Sequence, residues 1–182
     1  MKRYLNNYFT EIYEACNSIN QDFFSDVLME IKNVKKNDAK IILAGNGGSA
    51  AISSHVAVDF TKAAGVRAVN FNEADLITCF ANDFGYEEWL SKAIEYYALQ
   101  KDLIILISSS GKSANMVSAA KKCRQMELKT VTLTGFDDTN PLRQLGQYNA
   151  WVNSQSYNTI EMTHHIWLLA LVDKIIDMAI VE

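Results

Sequence analysis

The sequence is short of the residues that mark several common designs. It has one proline, Pro141, in 182 residues, so polar turns rather than prolines must end its regular segments. Its three cysteines, Cys16, Cys79 and Cys123, stand far apart, with no pair at redox or metal-binding spacing. An odd, scattered set argues against a disulfide framework and fits the reduced thiols of a cytoplasmic protein. No apolar run approaches the ~20 residues of a membrane span. The opening stretch, "MKRYLNNYFTEIYEACNSI", lacks the apolar core of a secretion signal. Cytoplasm is therefore the expected location, and no membrane partner is expected. Positive charge is not in excess either: the formal net charge is −4, which offers no electrostatic footprint for nucleic acid.

What is present reads as a globular chain. Hydrophobic residues make up 49% and charged residues 21%, a balance that can bury a core. The length suits one domain, residues 1–182, and no linker, repeat or low-complexity stretch divides it. Residues 1–36 form a helical N-terminal segment, with apolar residues from Tyr4 to Val34 at helical spacing. It is either two helices or one broken at "NQD" near Asn20. Thereafter short branched apolar runs ("IILAG", "VRAVNF", "DLIILIS", "KTVTLTG", "NAWVN") alternate with helical patterns ("AAISSHVAVDFTKAAG", "ADLITCFANDF", "YEEWLSKAIEYYALQ", "ANMVSAAKKCRQME"). Pro141 falls in a turn followed by a short helix, and residues 159–181 form a long final helix. The alternation predicts an α/β three-layer sandwich, a mostly parallel sheet flanked by helices.

Two loops carry the chemistry. "GNGGS" closes the first predicted strand and "SSSGKSAN" the "DLIILIS" strand, and each opens a helix. Hydroxyls, a glycine that admits close approach, and the free N–H groups of a helix start make an anion site without large net charge. Serines and glycines that only cap and turn would look similar singly, but two such loops at corresponding strand ends favour a phosphate. Neither loop has the dinucleotide or Walker A spacing, so a phosphorylated small molecule is expected and a nucleotide cofactor is not.

Together "AGNGGSAA", "ANDFGYEEWLSKAIE", "ISSSGKSAN" and "TVTLTG" resemble a sugar-isomerase (SIS) domain over nearly the whole chain. More closely they resemble the bacterial phosphoheptose isomerase branch, whose members convert sedoheptulose 7-phosphate to D-glycero-D-manno-heptose 7-phosphate for surface-polysaccharide heptose synthesis. The resemblance implies a flavodoxin-like sheet and a homotetramer with sites at subunit boundaries, where Tyr157 and Asn158 reach a neighbour's sugar. It implies that Ser108, Ser109, Ser110 and Ser113 hold the phosphate. Asn46, Gly47 and Ser49 would line the sugar site, with Asp83 reaching in from "NDFG".

The family pattern also departs here. The family holds zinc with His-x-x-x-Glu on one helix, and on the last helix a Gln followed eight residues later by a His. This chain has His55 and Asp59 in the first place, and an ungapped alignment puts Ile160 and Leu168 in the second. Neither of the latter can bind metal or move a proton. Nearby, Glu161, His164 and His165 lie within one turn of each other. The expected catalytic set is therefore Asp59, Glu161, His164 and His165, with zinc on His55, Asp59 and His164. The bland readings are a helix-surface pair for His55 and Asp59 and a core histidine for His164 or His165. A non-catalytic module that binds a phosphosugar or a protein, and an isomerase of another sugar phosphate, are the alternatives.

Overall fold

A computed structural model describes residues 1–181. Two helices open the chain, α1 (Lys2–Asn17) and α2 (Gln21–Lys36), separated at the predicted break, where the Asn20 side chain accepts the Asp22 N–H at 2.8 Å. There follow β1 (Ile41–Gly45), α3 (Gly48–Lys62), β2 (Ala68–Asn70), α4 (Ala74–Phe84), α5 (Trp89–Tyr97) and β3 (Leu103–Ser108). The chain continues through α6 (Ala114–Gln125), β4 (Lys129–Thr134), β5 (Tyr148–Trp151) and α7 (Tyr157–Val181). Residues 141–145 after the single proline are turns rather than the expected short helix.

Among the described residues the five strands are all parallel, in the order β2-β1-β3-β4-β5. Strand side chains alternate between faces, so each apolar run feeds two cores. Ile41, Leu43, Leu103, Ile105 and Ile107 join Val27 and Ile31 of α2, Val56 and Phe60 of α3, and Leu171 and Val172 of α7. Ile42, Ala44, Ile104 and Leu106 join Trp89 and Ile94 of α5 and Met116 and Cys123 of α6. This is the three-layer α/β sandwich the alternation predicts.

The strand order places the site. β1 and β3 are neighbours, yet α3, which follows β1, and α6, which follows β3, lie on opposite faces. The loops leaving their carboxyl ends must diverge, opening the crevice in which α/β sheets bind ligands.

Candidate active site

Both glycine–serine loops meet at that crevice. On the β1 side the chain turns into α3 through Gly47, at φ 55° and ψ −120°, a conformation that L side chains avoid. The next residue, Gly48, is glycine for a different reason: the Glu161 carboxylate fills the space a Cβ would take. On the β3 side Gly111, at φ 62°, reverses the chain, its N–H donating to Ser108 O at 3.0 Å. Ser113 is the N-cap of α6, yet its hydroxyl makes no capping bond and lies 3.4 Å from Ser108 Oγ. The first turn of α6 therefore keeps its capacity for an anion.

Between the loops lies a cavity of about 140 Å³ lined by Asn46, Ser49, the serines 108, 109, 110 and 113, Tyr157 and Glu161. The serines expected to hold the phosphate, and Asn46 and Ser49 expected at the sugar, thus line one cavity, with Gly47 shaping the turn beside them. Ser109 Oγ and, on the adjoining strand, Thr134 Oγ1 are buried without a hydrogen-bond partner in the protein. Asp83 is not brought in. It lies exposed on the last turn of α4, bonded to Asn82 Nδ2 at 2.9 Å. Gly85, at φ 86°, ends that helix and sends Tyr86 towards the cavity instead, its hydroxyl 3.4 Å from Asn46 Oδ1. Sequence reasoning passed over Tyr86. A phenol one residue after a helix-ending glycine was the available signal.

α7 divides its side chains between core and site. Ile160, His164 and Leu168, four apart, share one stripe and are fully or almost fully buried. Ile160 packs on Gly135, where a Cβ would collide with it. His164, expected among the catalytic and zinc-binding residues, points away from the cavity, its Nε2 3.1 Å from the Thr134 carbonyl. Its Nδ1 has no partner, and burial lowers its pKa to about 4, so the ring is neutral. The reason is rotational: adjacent helical residues point about 100° apart, and the stripe carrying Ile160 and Leu168 takes the core.

On the neighbouring stripe Tyr157 and Glu161 line the cavity, and His165 follows one turn after Glu161. Burial raises the Glu161 pKa above the ordinary carboxylate value. One turn on, His165 Nε2 lies 2.9 Å from His55 Nδ1, and His55 Nε2 lies 3.2 Å from Asp59 Oδ2. With both rings neutral, the tautomers follow from the carboxylate, which only accepts. Asp59 takes the Nε2–H of His55, leaving His55 Nδ1 a bare lone pair. That lone pair takes the Nε2–H of His165, so His165 Nδ1 is itself an unprotonated acceptor. Burial and the neighbouring His55 also lower the His165 pKa, keeping its ring neutral.

This linear arrangement bears on zinc. Asp59 and His165 sit at the two different nitrogens of the His55 ring, which point away from each other. No single point lies within bonding distance of all three, whereas tetrahedral zinc needs its donors around one centre. Among the described residues no three His, Cys, Asp or Glu side chains group for a metal ion. With His164 turned into the core, the donor set in this arrangement does not fit the expected zinc site.

Comparison with known proteins agrees with the fold and with the loops. Residues 4–135 match the SIS domain family. The chain is 33% identical over 146 residues to a phosphoheptose isomerase of Helicobacter pylori, covering 77% of this chain and 76% of that protein. It is 35% identical over 135 residues to one from Aliarcobacter butzleri, covering 71% of each. The solved structure of the phosphoheptose isomerase GmhA from Neisseria gonorrhoeae superposes with a TM-score of 0.85 at 26% identity, covering 96% of this chain and 98% of that one. A phosphoheptose isomerase from Francisella tularensis has the same fold, with a TM-score of 0.86 at 22% identity. The match spans both anion loops and the strands that carry them, and on that ground the chain belongs to the SIS-domain family, among the phosphoheptose isomerases.

Proposed function

We propose that the chain is an aldose–ketose isomerase of a phosphorylated sugar, with sedoheptulose 7-phosphate as substrate and D-glycero-D-manno-heptose 7-phosphate as product. The observation that carries this reading is one stripe of α7. It sets Glu161 against the serine cradle and, one turn on, His165 at the end of the Asp59–His55 chain.

The serines and the start of α6 hold the phosphate and leave the reacting carbons to the cavity wall. The Glu161 carboxylate takes the proton from C1 of the ketose. The electron pair shifts to form an enediolate, and the same carboxyl returns the proton to C2. Burial suits Glu161 to this task by making it a stronger base than an exposed carboxylate. The hydroxyl proton must also pass from O1 to O2. In this reading the lone pair on His165 Nδ1 accepts and returns it, while Asp59 through His55 steadies the charge that forms on the ring.

The test is turnover of sedoheptulose 7-phosphate in deuterated water, followed by NMR, with deuterium expected at C2 of the aldose. Absence of product and of exchange with heptulose, hexulose and pentulose phosphates would overturn the enzyme reading in favour of a binding module.

Two further readings belong with it. We infer a cytoplasmic homotetramer with sites at subunit boundaries. α1 has no buried residue, and its Tyr4, Phe9 and Tyr13 are exposed, as are Tyr157, Met162 and Ile166 of α7. Apolar surface of this kind on both terminal helices fits burial against further copies of the chain. A monomer in light scattering at micromolar concentration would refute the assembly.

A further inference from the structure

The crevice between the two anion loops is bridged by a reciprocal pair of amides. Asn46 Nδ2 donates to Asn115 Oδ1 at 2.9 Å, and Asn115 Nδ2 donates to Asn46 Oδ1 at 2.9 Å. Asn115, in the first turn of α6, is buried, with 2% of its surface exposed, and is not part of the cavity wall. Asn46 does line the cavity. A side-chain amide has two N–H donors and two lone pairs. For Asn46 the pair takes one of each, and the Tyr86 hydroxyl at 3.4 Å faces the second lone pair. What remains to Asn46 is a single N–H.

We propose that Asn115 is a positioning residue. Together with the Tyr86 hydroxyl, which donates to Asn46 Oδ1, it locks the Asn46 amide so that this N–H, and not the carbonyl, is offered to the oxygen that gains charge in the enediolate. A donor oriented in advance stabilises such an oxygen without reorganising during the reaction, whereas a carbonyl turned the same way would repel it. The buried position of Asn115 explains why an amide is kept there: it touches the substrate only through Asn46. The proposal rests on the isomerase reading for the identity of that oxygen, but the locking itself does not depend on it.

Two measurements test it: steady-state kinetics, and the side-chain amide resonances of Asn46 in protein labelled with [15N]asparagine. The variants are Asn115→Ala, Asn115→Asp, Asn46→Ala and the double Asn46→Ala/Asn115→Ala. Asn115→Ala is expected to move the Asn46 amide protons towards the shifts of a freely rotating side chain. It should lower kcat by about 10- to 100-fold, below the loss of a whole donor. KM should change less than about threefold, because the serine cradle is intact. The double variant should be no slower than Asn46→Ala alone, since Asn115 acts through Asn46. Asn115→Asp keeps the acceptor and the shape but loses the donor. If Asn115→Ala does not fold, a kcat loss in Asn115→Asp supports the proposal and wild-type kcat refutes it. Unchanged Asn46 resonances, losses that multiply in the double variant, or an effect confined to KM would each overturn it. Failure of the wild type to isomerise any sugar phosphate would instead sink the isomerase reading, with the resonances still deciding whether Asn115 locks Asn46.

Discussion

At the amino-terminal end of the sheet, the buried Asp102 carboxylate accepts the Lys40 N–H at 2.9 Å and the Leu99 N–H at 2.8 Å, and pairs with the Lys40 ammonium. At the carboxyl-terminal end, Ser109 Oγ and Thr134 Oγ1 are buried with no partner in the protein, and Ser113 caps α6 without using its hydroxyl. Both ends belong to the same parallel sheet, and neither is richer in polar residues for its own sake. They differ in what the polar atoms do. Asp102 closes the first end by satisfying groups that would otherwise be stranded on folding. At the other end the capacity is left over, and leftover capacity beside two helix starts is what a phosphorylated ligand requires.

That contrast can be broken at either end. The largest effect is expected from Glu161→Gln, which removes the proposed base while keeping its shape. Turnover should fall by about two orders of magnitude or more, with the melting temperature preserved. Equal activity would return Glu161 to a packing role. His165→Ala should likewise cost turnover, whereas His164→Ala should act mainly as a core truncation. Its signature is a loss of about 2 kcal/mol or more in denaturant titration. A kinetic loss for His164→Ala with unchanged stability would contradict the placement of that ring.

At the amino end, Asp102→Ala strands two backbone N–H groups and the Lys40 ammonium. It should destabilise the chain by about 3 kcal/mol, while kcat, measured where the protein is still folded, stays that of the wild type. Ser110→Ala with Ser113→Ala should do the reverse. Each lost hydrogen bond to a charged group is worth ~1.5–3 kcal/mol, so calorimetry should find sugar-phosphate affinity reduced tenfold or more in an intact fold.

The smallest effect is one of pH. Glu161 titrates higher in the folded chain than in the unfolded one, because burial disfavours its charge. Folding then favours the protonated form. Its contribution to stability is fully present below the unfolded carboxylate pKa and is lost as pH rises through the folded value. Glu161→Gln, which cannot ionise, should therefore gain in stability relative to wild type as pH rises through that window. Below the ordinary carboxylate range the difference should level off. A relative loss over that window, followed by urea titration at several pH values, would reverse the assigned direction.

Much of this architecture was legible in the chain itself. "IILAG" and the "LIILI" of "DLIILIS" carry no polar side chain because both faces of their strands are buried, and that pattern needs no tertiary information to read. The two anion loops could be placed at strand ends for the same reason, since a glycine–serine run between a strand and a helix has few other roles. The boundaries of weaker elements were less legible. "YEEWLSKAIEYYALQ" reads as helix throughout, but α5 begins only at Trp89, after the turn that Gly85 sets.

The last helix marks where sequence reading stops. Its composition alone established that Glu161, His164 and His165 sit within one turn of each other, and that Ile160 and Leu168 cannot do acid–base chemistry. Which of them meets the cavity depends on the rotation of one helix about its axis. A shift of one residue is a turn of about 100°, enough to exchange a core stripe for a site stripe. The packing of Ile160 on Gly135 and of Leu168 in the core fixes that rotation. It carries His164 inward to the Thr134 carbonyl and His165 outward to His55, on a helix more than a hundred residues earlier in the chain. Local propensity fixes periods and ends; only contact between distant segments fixes the phase.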